Sequence, residues 1–400
     1  KFFKKHYLIM AILIFGFILR ILGVGFGLPY QFHQDEMVVV NHALGYGTGD
    51  LNPHFFNIPP LASYILFFLY GLYFLTGKTI GLFVGTDDFA LSFFKDSSIF
   101  YLIGRVALGV VPGVLCIFFV YIFAKTTFSK RVALFSALIM AVCYLNVINS
   151  HYIYVDMLMI SFILLTYLSL FRMLERPSLM RYIISAIFIG LAIGTKYNAA
   201  LIGLPFFLTH TFIILKKKSR YYRIIFSKEL WLSFLVSIFM FVLVNPFSLL
   251  SPGEFWNSFS KQAAAAWPMG WSHHLVYSLK EGISLPVLFF GIIGLLIILV
   301  KKKEKGIIFV SFPIVFYLTL VYYSQPFSRY ALALVPFLAI GAGYFLFDTI
   351  GIYCKRQVLK IALVSASLLL LLPTTIKSVK ADKLFCTEDT RVISANWIKD

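Results

Sequence analysis

Apolar stretches of about helix length alternate with short polar breaks along almost the whole chain. They lie at 7–28, 60–77, 99–124, 132–149, 157–173, 182–195, 198–215, 230–247, 284–300, 306–323, 330–349 and 358–374. A helix needs about twenty such residues to cross a hydrocarbon layer. Each run is therefore read as a helix, and the fold class as an all-α polytopic membrane protein.

The polar breaks are of two kinds. Basic clusters occur at Lys125, Lys130 and Arg131; at Arg172, Arg176 and Arg181; at Lys216, Lys217, Lys218, Arg220 and Arg223; at Lys301, Lys302, Lys303 and Lys305; and at Lys355, Arg356 and Lys360. The positive-inside rule assigns them to the cytoplasm, with the basic N-terminus. If 60–77 crossed, parity would put every later cluster outside. If it lies along the outer surface, every cluster falls inside. Its flanks, Pro59-Pro60 and Gly77, suit the second reading; an ordinary span with a weaker charge rule is the alternative. The expectation is about eleven transmembrane helices and an outer juxtamembrane helix, N-terminus in and C-terminus out. Two outer loops are then long, 29–98 and 248–283, and hold acids, aromatics, Pro and His. Long loops of such composition tend to be functional, so chemistry is expected outside.

Composition sharpens this picture. Of the 400 residues, 60% are hydrophobic and 13% charged, about half the charged share of a soluble domain. The net charge of +18 is spread over short clusters between apolar runs, not gathered in one patch, which argues against nucleic acid. The four cysteines show no metal-ligand spacing and predict no disulfide framework. The first apolar run is too long for a signal-peptide core and has no small-residue cleavage site, so it reads as a retained span. No inverted pair of Gly/Pro-broken helices suggests a transporter.

Candidate chemistry begins directly after the first span, in Pro29-Tyr30-Gln31-Phe32-His33-Gln34-Asp35-Glu36. A carboxylate at the membrane surface can take a proton from an attacking hydroxyl or hold a divalent cation; it can equally be a loop acid paired with Arg20 or Arg105. Asp156 opens a span, where the helix dipole alone would favour it. Lys196 and Arg329 stand at the outer ends of apolar runs. Such charges are costly and tend to be functional, and Arg suits phosphate; snorkelling is the other reading, and it is the one preferred for Arg20 and Arg105. His273 and His274 sit beside Trp267, Pro268 and Trp271, and with His33, His54 and His151 they raise the question of a metal site, although no spacing is diagnostic.

Five segments together carry a resemblance. Asp35-Glu36 is followed by Asn41, Ala43, Leu44, Gly47, Asn52-Pro53 and Pro59-Pro60-Leu61; then come His151-Tyr152-Ile153-Tyr154-Val155-Asp156, Gly194-Thr195-Lys196-Tyr197, Ser328-Arg329-Tyr330 with Pro336, and Glu388-Asp389-Thr390-Arg391 with Ala395, Asn396, Trp397 and Ile398. In this order the sequence resembles the superfamily of protein O-mannosyltransferases and aminoarabinose transferases, C-type glycosyltransferases that use polyprenyl-phosphate sugars. The resemblance implies a transmembrane glycosyltransferase domain at 1–380 and, at 381–400, the start of an extracytoplasmic domain. It implies transfer of a hexosyl or pentosyl group, with inversion in a single displacement, to an acceptor hydroxyl on a glycan, lipid or protein outside a bacterial inner membrane. Asp35 would be the general base, supported by Glu36. Asp156 would orient the acceptor or share a metal. Lys196, Arg329 and Tyr330 would hold the donor phosphate, and His33, His54, His151 and Tyr197 would lie in the substrate site. Asn57 and Ile58 depart from the family's more polar residues before the Pro pair, which leaves any contact made there to a neighbour such as His54. A transporter or flippase of lipid-linked sugars is the alternative function.

Overall fold

The computed structural model describes residues 2–265, 267–322 and 325–399, and side chains from His6 onward except those of Asn396 and Lys399. Lys1 and the side chains of Lys4 and Lys5, which make the N-terminus basic, and that of Asn396 lie outside the described residues. The chain is an α-helical bundle with no strand among the described residues. Among the described residues, eight helices are long and apolar enough to cross a membrane, or nine if one bent pair counts as a single span; His6–Ile21 and Leu179–Thr195 are apolar but shorter.

Most apolar runs became helices within a few residues of their expected ends, and the exceptions have local causes. The first helix, Phe2–Ile21, stops short of the run ending at 28, because Gly23 and Gly27 adopt φ of +72° and +69°, which L-residues with a Cβ avoid. The run at 132–149 is split into Lys130–Val142 and Tyr144–Asn149 at Cys143, whose ψ of 118° is extended. The freed backbone N–H of Tyr144 donates to Thr374 Oγ1 at 2.9 Å. His274–Ile283 and Leu285–Lys301 meet at an angle of 108°, around Ser284 with φ +76° and before Pro286.

The long first loop is not irregular. It folds into Gln34–Gly45, Leu61–Thr79 and Thr86–Lys95. Val39, Val40, Leu66 and Tyr70 from the first two pack with Phe100, Ile153 and Val155 into a small core of their own. The main core is separate and is built from the bundle helices. The second loop similarly holds Pro252–Ala264 and His274–Ile283.

Within the bundle, Leu285–Lys301 crosses Val335–Gly343 on glycine. A Cβ at Gly294 would fall 1.8 Å from the carbonyl oxygen of Gly341, and one at Gly341 would fall 2.3 Å from that of Gly291. Close backbone approach through small residues is how helices associate where lipid removes the hydrophobic drive. Gly294→Ala is expected to destabilise by about 1–3 kcal/mol or more, since backbone must move. Gly71→Ala, in open space within Leu61–Thr79, should be neutral or stabilising by up to about 1 kcal/mol. Melting of both variants in one detergent tests this; equal melting temperatures would refute the crossing.

Candidate active site

Three loop-to-helix junctions converge on the site: the start of Gln34–Gly45, the Tyr152–Asp156 turn, and the start of Ser328–Ile352. Lys196 joins them from the break between Leu179–Thr195 and Tyr197–Lys216. Arg329 Nη2 lies 3.0 Å from Asp35 Oδ2. Lys196 Nζ donates to Asp156 Oδ1 at 2.8 Å. The two ion pairs share an aromatic wall. Arg329 Cζ is 4.8 Å from the Tyr154 ring centre and 5.6 Å from that of Tyr330, while Lys196 Nζ is 5.7 Å and 4.4 Å from the same rings. Asp156 Oδ2 and Arg329 Nε are buried and make no hydrogen bond. Asp35 keeps 34% of its side chain exposed, so the cluster opens outward at the acid. Tyr154 was not singled out in the sequence; burial pushes its phenol well above the usual range, so it stays a neutral hydroxyl.

Glu36, expected to support Asp35, sits in the frame of the loop. It is fully buried, and both its oxygens are taken. Arg105 Nε donates to Oε1 at 2.9 Å and Nη2 to Oε2 at 2.8 Å, and the Ile153 backbone N–H donates to Oε1 at 3.0 Å. It ties the Asp35 loop to the Tyr154–Asp156 turn. Arg105 completes its fork with the Val24 and Phe26 carbonyls at 2.8 and 2.9 Å. Arg20 donates to the carbonyls of Gly16, Met140 and Ala141. Both arginines are fully buried, so neither snorkels.

The histidines divide. His33 stays beside Asp35, packed against Tyr152 with ring centres 4.3 Å apart, and burial outweighs the nearby acids to lower its pKa. His151 turns inward instead, with Nδ1 2.9 Å from the Val147 carbonyl and Nε2 2.8 Å from that of Leu22. Tyr197 points to the second loop: its hydroxyl donates to the Phe56 carbonyl at 2.9 Å, and its ring meets Phe255 and Phe259. His54 is exposed and clasps the two outer loops, with Nε2 2.9 Å from Asp50 Oδ2 and Nδ1 2.9 Å from Glu254 Oε2. His274 is held by Ser278 at 2.9 Å and stacks edge-on with His273. Among the described residues no group of three or more His, Cys, Asp or Glu side chains is arranged to hold a metal ion.

The fold is similar to those of solved membrane transferases, and part of the chain matches a family model. Residues 97–247 match the family model of dolichyl-phosphate-mannose-protein mannosyltransferase. ArnT from Cupriavidus metallidurans, in a crystal structure bound to undecaprenyl phosphate, superposes with a TM-score of 0.61 at 17% identity, over 90% of this chain and 63% of that one. The Archaeoglobus fulgidus oligosaccharyltransferase superposes with a TM-score of 0.63 at 15% identity, over 96% and 57%; in its complex with Zn and sulfate the values are 0.59 and 15%, over 95% and 53%. The chain thus spans under two thirds of the length of these proteins. No curated protein matches it in sequence. The superfamily resemblance read from the motifs is the one these matches return.

Breaking the Glu36–Arg105 pair leaves a buried charge uncompensated, so Arg105→Leu should destabilise by about 3–5 kcal/mol, with the Glu36→Leu/Arg105→Leu double variant nearer to wild type. Thermal melting of the three variants decides; a harmless single variant would show that the pair carries nothing. The His54 clasp gives a pH signature. Hydrogen bonds to Asp50 and then Glu254 raise the His54 pKa, so its contribution is complete below the ordinary value of about 6.5 and is lost as pH rises through the raised one. The bond to His54 lowers the Asp50 pKa, so on the acid side the clasp persists until pH falls below the ordinary Asp range. Amide exchange in residues 50–56 and 251–256, corrected for intrinsic rates, should be slower at about pH 6 than at about pH 8.5. His54→Gln should abolish the difference.

Proposed function

We propose that this chain transfers a sugar from a polyprenyl phosphate to an acceptor hydroxyl outside the cytoplasm. The supporting observation is the pairing of two cations, Lys196 and Arg329, over a common Tyr154–Tyr330 wall with two carboxylates beside them. Arginine and lysine are the side chains that recognise phosphate oxygens, and the unused Arg329 Nε leaves a donor ready for one. Undecaprenyl phosphate bound to ArnT favours the same ligand class here.

In the proposed reaction the phosphate takes up Arg329 and Lys196, and Asp35, released from Arg329, accepts the proton of the attacking hydroxyl. That hydroxyl oxygen forms a bond to the anomeric carbon as the bond to the phosphate oxygen breaks. One displacement inverts the centre, and the phosphate leaves as a monoester on its lipid. Asp156, held by Lys196, orients the acceptor. No step is assigned to a metal. We read Leu61–Thr79 as lying along the outer surface, because its buried side chains meet Gln34–Gly45 and the start of the next helix and not the main core. The protein then resides in an inner membrane, with its N-terminus in the cytoplasm and residues 381–400 outside.

The test is turnover of radiolabelled polyprenyl-phosphate sugars in detergent, where a flippase has no second compartment and releases nothing. Asp35→Asn is expected to lower kcat by about 10²–10⁴-fold with folding intact. Arg329→Gln is expected to raise the donor KM by about ten- to hundred-fold. Full activity in Asp35→Asn would remove the base assignment, and failure to consume any donor in the panel would remove the transfer itself.

A further inference from the structure

The Ser328–Ile352 helix has 25 residues and so reaches roughly 35 Å from the Arg329 site, about the thickness of a bilayer's hydrocarbon core. At its far end a cavity of about 410 Å³ opens against the start of Lys130–Val142 and the start of Gln357–Leu369. Lys130–Val142 and Tyr144–Asn149 lead from the same place back toward Ile153 beside Glu36. Two paths through the fold thus put this cavity on the membrane face opposite Asp35.

Arg131 and Lys360 line the cavity with Gln357, against a wall of Phe347, Ile361 and Val364. Both cations are exposed, and neither makes an ion pair among the described residues. No acid lines the cavity; the neighbouring Asp348 accepts a hydrogen bond from Ser129 Oγ at 2.6 Å. The apolar wall does not end at the rim. Ile361, Val364 and Leu368, spaced to share one helix face, are all about half exposed and continue it along Gln357–Leu369 into what would be the hydrocarbon.

A paired cation site at one end of an exposed apolar stripe matches an amphiphile with an anionic head. We propose that this cavity binds an anionic phospholipid, with its phosphate between Arg131 and Lys360 and its acyl chains along Ile361, Val364 and Leu368. Arginine meets the phosphodiester as a fork and lysine as a point charge. Zwitterionic lipids are disfavoured because the cavity offers no carboxylate to their ammonium group. The site is separate from the donor site and does not depend on the transfer reaction.

Delipidated full-length chain, titrated with phosphatidylglycerol or phosphatidylcholine and read by native mass spectrometry, tests it. Phosphatidylglycerol is expected to bind about ten-fold or more tightly than phosphatidylcholine, and Arg131→Gln/Lys360→Gln to weaken it about thirty-fold, each lost cation contributing about five-fold. A control pair in another basic cluster, Lys217→Gln/Lys218→Gln, should bind as wild type. If the Arg131/Lys360 pair does not fold, Lys360→Gln alone, an exposed position, should weaken binding about five-fold. Millimolar glycerol 3-phosphate should not displace the lipid. Equal retention of the two lipids, unchanged binding in the variants, or displacement by the soluble phosphate would each overturn the proposal, the last by showing a phosphate site that does not need a lipid.

Discussion

The Asp35 end of this protein is organised around one buried ion pair. Glu36 and Arg105 are both shielded from solvent, where an unpaired charge would be costly and a paired, fully hydrogen-bonded one is tolerated. Because the carboxylate also takes the Ile153 N–H, and the guanidinium also takes two carbonyls of the 22–30 turn, four segments distant in sequence are held at one point. Asp35 is the residue before Glu36 and Tyr154 the residue after Ile153. The reactive cluster therefore inherits its geometry from a pair that takes no part in it.

The same logic explains why the acids divide into two kinds. Glu36 sits on the inner face of its helix turn and is consumed by structure. Asp35, one residue earlier, faces Arg329 and remains partly open. On a helix, adjacent residues point about 100° apart, and here that sends the two carboxylates to different partners, Arg329 and Arg105. The aromatic wall adds a second constraint. Tyr154 and Tyr330 place their π faces against both cations, and this holds the charges in a region that water would otherwise fill.

Much of the fold could be read from the chain, because lipid-facing helices announce themselves by length and apolarity. The convergence of Asp35, Lys196 and Arg329 could also be anticipated, since each is a charge at the end of an apolar run. Other features depended on tertiary partners that no local pattern encodes. Arg20 and Arg105 carry the same signal as Arg329, yet they bury themselves on carbonyls and Glu36 and do not reach for the interface. The break at Cys143 is stabilised by Thr374, far along the chain, and the bend at Ser284 needs a positive φ that its residue type does not signal. The resemblance placed His151 in the substrate site, but its ring turns toward the Leu22 carbonyl. Tyr154 could have been found there: a tyrosine two residues before an acid at the mouth of a span.

The Asp35–Arg329 and Asp156–Lys196 pairs balance: two negative and two positive groups share one small volume. On the proposed reaction, the arriving diester brings one negative charge, and transfer leaves the local sum unchanged because the acceptor's proton remains on Asp35. A second negative charge appears only when that proton escapes to bulk water. The lipid monoester and the restored carboxylate then compete for the same guanidinium, so on this proposal deprotonation is the event that ejects the spent carrier and restores the starting pairs.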